Sequence, residues 1–173
     1  MSDAATPLFT TKVLTAAIGG TTLYLAYQPI VDLETGEIIA VEALLRWTKD
    51  GQKIPPDKIV EFAEENGQID DLGDWVLKTG LEQQAEWRKN GINIGMAINV
   101  SVKQLEQESF AERFLKIRED VRKTIDVILP PDSIKFEITE TVAITSVGTV
   151  VDNITRLQQY GYRFTLDDFG TGH

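Results

Sequence analysis

The 173-residue sequence contains no cysteine. Disulfides, thiolate nucleophiles and zinc–thiolate sites are thereby excluded together. Its one histidine is the last residue, His173, so neither a Ser/His/Asp triad nor a multi-histidine metal site can be assembled. Cations are scarce: 17 Lys+Arg against 27 Asp+Glu leave a formal charge of −10. A surface that neutralises a run of phosphates needs clustered positive charge, so duplex DNA or RNA is not an expected partner. Long apolar runs are missing as well. None approaches the ~20 residues that a membrane span needs. Met1–Pro7 carries no basic leader, and Thr11–Gly20 is too short and polar for a secretory core. The expectation is a cytoplasmic chain with no membrane contact of its own. What remains is a globular composition, 42% hydrophobic and 25% charged, at a length suited to one domain.

Two periodicities alternate along that chain. Leu23–Val31 and Ile38–Trp47 read as strands joined by the turn Asp32–Gly36, short enough for an antiparallel hairpin. Pro55-Pro56 opens a helix with Ile59, Phe62 and Ala63 on one face, and Gly67 stops it. A longer helix over Asp70–Asn90 carries Leu77, Leu81 and Ala85 and ends at Gly91. Asn93–Val100 is a strand, Ser109–Ile125 an amphipathic helix and Ile134–Thr139 a strand. A helix over Ser146–Tyr160 and a final strand over Arg163–Asp168 complete the order. Strands alternating with helices predict an α/β fold with a parallel sheet and helices packed outside. Residues 1–20 form a lead-in with one short helix, and residues 21–173 the domain.

Within each strand, residues two apart share a face. Val41, Ala43 and Leu45 oppose Glu42, Leu44 and Arg46. Met96 and Ile98 oppose Ala97 and Asn99; Phe136 and Ile138 oppose Lys135 and Glu137; Phe164 and Leu166 oppose Thr165 and Asp167. One face is bulky and apolar, as helix packing requires. The other carries one oxygen-bearing side chain per strand: Glu42, Asn99, Glu137 and Asp167. An inward carboxylate costs several kcal/mol unless paired or metal-bound. Four such residues in register predict a site at the C-terminal end of a (β/α) barrel sheet. An all-oxygen set suits Mg²⁺ or Mn²⁺ rather than zinc. Asp168 adjoins Asp167 and can serve a second metal, as two-metal phosphoester hydrolysis requires. Arg46, on the face of Glu42, can hold a phosphate through its fork.

Taken singly, each residue also has a plainer reading. Glu42 reads as a strand carboxylate paired with Arg46, and Asn99 as a cap for the segment that Ser101 begins. Glu137 and Glu140 read as a solvated helix start, and Gln28 as an ordinary strand polar group.

Together, Tyr27-Gln-Pro-Ile30, Glu42-Ala-Leu-Leu-Arg46, Asn99-Val-Ser101, Glu137-Ile-Thr-Glu140 and Asp167-Asp-Phe-Gly-Thr-Gly172 resemble the ordered motif set of EAL domains, the family of cyclic di-GMP phosphodiesterases. The resemblance implies a TIM-barrel-like fold and metal-dependent hydrolysis of cyclic di-GMP to a linear dinucleotide by an activated water. It implies that Glu42, Asn99, Glu137 and Asp167 ligate metal, with Asp168 at the second ion. Gln28, Leu44 and Arg46 would contact substrate, and Glu140 would steady the loop that begins at Asp168. The sequence departs from the family pattern after that loop. Three further family strands, which supply a catalytic Lys, an Asp, a metal-site Glu and a Gln, have no counterpart before His173. The expectation is therefore about five of eight strands, an incomplete barrel with open edges, and impaired activity. Those edges predict a homodimer. A non-catalytic module that binds cyclic di-GMP or a protein is the alternative.

Overall fold

The computed structural model describes residues 9–139 and 148–167, with backbone alone at Thr139 and Asp167. Helix α1 (Thr11–Ile18) precedes the hairpin β1 (Leu23–Val31) and β2 (Ile38–Lys49). Then follow β3 (Gln52–Ile54), α2 (Pro56–Glu65), α3 (Ile69–Lys89), β4 (Gly95–Asn99), α4 (Val102–Leu105) and α5 (Phe110–Ile125). A single 3₁₀ turn at Pro131–Ser133 leads into β5 (Ile134–Thr139), α6 (Gly148–Gln159) and β6 (Arg163–Asp167). The expected bounds of the helix over 146–160 and of the last strand extend beyond the described residues.

The sheet runs β1-β2-β4-β5-β6. The β1–β2 pair is antiparallel, and every later pair on this path is parallel. Five strands are where the periodicity puts them. The sixth, β3, pairs Ile54 with Trp47 and Gln52 with Lys49. Three residues are too few to show a period of two, so this short return leaves no legible sequence signal. It turns the chain back at Asp50 and Gly51, both at positive φ.

The apolar parity packs against α3, α5 and α6 in one continuous core. Leu77, Leu81, Met96, Ile98, Phe110, Phe114, Ile134, Phe136 and Leu157 are all buried there. Aromatic rings dominate its far end, with Phe136 about 4.9 Å from both Phe114 and Phe164. Arg113 ties α5 to α3 by reaching Asp70 at 2.7 Å and Asp74 at 3.3 Å. A second core gathers Phe9, Leu14 and Ala17 around Leu23, Trp47, Ile59, Ala63 and Leu72. Helix α1 packs there against the start of α3, which contributes Leu72.

Two glycines are dictated by this packing. Gly67, at φ +69°, ends α2 in a conformation that L side chains rarely adopt. Gly73 on α3 lies beneath Gln104, whose Nε2 would stand 1.7 Å from an added Cβ. Coverage fails at the sheet margins. Ile39 and Leu166 have the expected parity but are 52% and 42% exposed.

Candidate functional site

The small and polar parity faces away from the helices. Strand pairing sets its order: Gln28 lies opposite Glu42, Glu42 beside Ala97, and Ala97 beside Lys135. One step higher, Asn99 lies beside Glu137, and Glu137 beside Thr165. Asp167 is level with Thr139, two positions beyond Glu137. The expected register is therefore corrected. Glu42, Asn99, Glu137 and Asp167 form a staircase rather than a row, climbing four residues from β2 to β6. Strands of a barrel tilt, so side chains at one height along the axis must climb the hydrogen-bond ladder from strand to strand.

Glu42 and Asn99 meet directly: Asn99 Nδ2 donates to Glu42 Oε1 at 2.9 Å. This contact replaces both plainer readings. Glu42 does not pair with Arg46, whose guanidinium donates instead to the Leu45 carbonyl at 2.8 Å. Nor does Asn99 cap the next helix. Ser101 does so, accepting from Lys103 N at 3.1 Å, while Gln104 Oε1 accepts from Ser101 N at 3.2 Å. That reciprocal pair is a capping box, and it fixes the chain two residues past Asn99. Ser101 also donates to Glu64 of α2. Glu137 lies in β5 with its side chain 12% exposed, so it is not a solvated helix start. Its Oε1 is held at 2.6 Å by Lys135 Nζ.

Beside Asn99 and Glu137 opens a cleft of about 740 Å³. Leu44, Arg46, Asn99 and Glu137 form its sheet side, and Val60, Glu64 and Gln104 belong to its helical side. Gln28 sits lower, on an exposed stretch of β1. Its neighbour Tyr27 points to the other face, where it meets Trp87 at 4.9 Å and burial pushes its phenol up to about 12. Glu140 and Asp168 lie outside the described residues.

Asn99 Oδ1 and the second oxygens of Glu42 and Glu137 take no hydrogen bond among the described residues. These donors suit a hard divalent ion in type. They are part of a shell only, since among the described residues no three His, Cys, Asp or Glu side chains come together. Lys135, Glu64 and Gln104 were not singled out by the sequence reading. Only Lys135 carried a signal, its shared parity with Glu137.

Three comparisons bear on this arrangement. The EAL domain family matches residues 12–173. A cyclic di-GMP phosphodiesterase of Pseudomonas aeruginosa is 36% identical over 151 residues, which cover 87% of this chain and 25% of that protein. The cyclic di-GMP phosphodiesterase PdeR of Escherichia coli is 34% identical over 161 residues, covering 92% and 23%. The chain thus spans about a quarter of the length of these curated relatives. Among solved structures, the phosphodiesterase PaMucR in its c-di-GMP complex superposes with a TM-score of 0.79 at 29% identity, over 94% of this chain and 64% of that one. The EAL domain of Mycobacterium smegmatis DcpA superposes at 0.64 with 37% identity, over 87% and 58%.

Proposed function

This chain belongs to the EAL domain family, and we propose that it is a cyclic di-GMP phosphodiesterase-type domain acting with Mg²⁺ or Mn²⁺. The observation that carries the reading is the Glu42–Asn99 hydrogen bond beside Glu137 at the C-terminal end of the parallel strands. Asn99, hydrogen-bonded to Glu42 and paired in register with Glu137, lines with Glu137 a cleft of a volume that suits a nucleotide. In this reading Glu42, Asn99, Glu137 and Asp167 hold the cation, and Asp168 serves a second one. The bound ions supply an activated water and offset charge on the phosphodiester. Arg46 turns from the Leu45 carbonyl to grip a phosphate, Leu44 packs against the substrate and Gln28 adds a polar contact. Glu140 steadies the loop at Asp168. Attack on one phosphodiester opens the ring and yields the linear dinucleotide.

The second reading is a module that binds cyclic di-GMP or a protein without turnover. One experiment separates the two. The purified chain is incubated with cyclic di-GMP and Mn²⁺, with and without EDTA, and nucleotide binding and linear dinucleotide are both measured. Mn²⁺-dependent product supports the enzyme, and binding without product supports the module. Neither nucleotide binding nor product would overturn the enzyme and the nucleotide-binding module together, leaving only protein binding.

Two further parts of the reading concern setting. No helix among the described residues is long and apolar enough to cross a membrane; the cytoplasmic location is part of the proposal. Strands β1 and β6 each lack a second neighbour in the described sheet, and unpaired strand edges are templates for pairing. We therefore expect a homodimer through these edges. Light scattering should give twice the chain mass of 19.3 kDa, and a monodisperse monomer would exclude it.

A further inference from the structure

The row at the level of Glu42 has a composition that metal binding does not call for. It runs Glu42, Ala97, Lys135 and Arg163 across four neighbouring strands, placing two cations on the same face as the acidic staircase. Arg163 is exposed. Lys135 is not idle: its ammonium lies 2.6 Å from Glu137 Oε1, with the two side chains 35% and 12% exposed. An ion pair this close, on a carboxylate so little hydrated, interacts through a dielectric well below that of water. We propose that Lys135 is the internal counter-ion of the site. It neutralises Glu137 when no cation is present, and it opposes the divalent cation that Glu137 would ligate.

The proposal rests on the metal-site reading above. A cation on the second oxygen of Glu137 would stand only a few ångströms from the Lys135 ammonium, so like charges repel across one carboxylate. The metal-free site gains from the same contact, because a carboxylate with so little solvent contact is costly without a partner. Lys135 therefore acts with opposite sign on the two states. This distinguishes it from a residue that merely orients a ligand, whose loss would weaken metal binding.

The test compares Mn²⁺ affinity by calorimetry, together with the metal-free melting temperature, for the wild type, Lys135→Met, Lys135→Gln and Lys135→Arg. The expected result is an affinity about tenfold higher in Lys135→Met and Lys135→Gln, with lower metal-free melting temperatures. Lys135→Arg keeps the charge and should bind Mn²⁺ as the wild type does. If Lys135→Met does not fold, Lys135→Gln still decides, since it keeps a hydrogen-bond donor and removes the charge. Unchanged or weaker binding in the neutral variants overturns the counter-ion role. A wild type and variants that are folded but bind no Mn²⁺ overturn the metal site itself, and the counter-ion role with it.

Discussion

Glu42→Gln is expected to abolish turnover of cyclic di-GMP and to weaken Mn²⁺ binding by more than about 100-fold, the upper end of the loss seen when only a supporting residue of a metal ligand is removed. The melting temperature should hardly move. The separation follows from the Asn99 contact. Asn99 Nδ2 donates to Glu42 Oε1, and a glutamine carbonyl accepts that bond at the same 2.9 Å. What the substitution removes is the negative charge, and it places an N–H₂ donor where a cation would need an oxygen. Isothermal titration with Mn²⁺, product chromatography and thermal unfolding measure the three quantities independently. Unchanged Mn²⁺ affinity in a folded variant would remove Glu42 from the ligand set.

The largest stability effect is expected at Phe136, and it is unrelated to charge. The ring is fully buried. It meets Phe114 and Phe164 at 4.9 Å, Tyr162 at 6.0 Å and Phe110 at 6.4 Å. Phe136→Ala should therefore cost about 3–5 kcal/mol, through lost burial and a cavity that four rings cannot collapse into. Against a typical total of ~5–15 kcal/mol, that leaves a marginal fold. Urea unfolding should show a lower midpoint at an unchanged slope. A loss below about 1 kcal/mol would mean that the cluster repacks. Phe136 alternates with Lys135 and Glu137 on β5, so the same strand anchors the fold on one face and carries the site on the other.

Much of this was legible residue by residue. Leu77, Leu81 and Ala85 recur every four positions, and all three are buried in α3. Gly67, Gly91 and Gly161 mark the ends of helices, and each has a positive φ. The alternation in β5 named its buried set, Ile134, Phe136 and Ile138, without error. Such signals are local: a helix or strand imposes its period on whatever it must bury. The short return β3 escaped because three residues carry no period. The exposure of Ile39 and Leu166 escaped because parity says which way a side chain points and not whether anything covers it.

The site divides along the same line. By itself the sequence determined which residue types share a face, that no cysteine and no histidine before His173 is available as a ligand, and the ordered motifs that place the chain among EAL domains. It could not decide the pairings. Whether Glu42 joins Arg46, four residues away, or Asn99, across a strand boundary, depends on how β2 and β4 are aligned. The climb from Glu42 to Asp167 depends on strand tilt, and the Lys135 contact on the depth at which Glu137 is held. Register and depth belong to contacts between segments distant in the chain, and no periodicity within one segment encodes them.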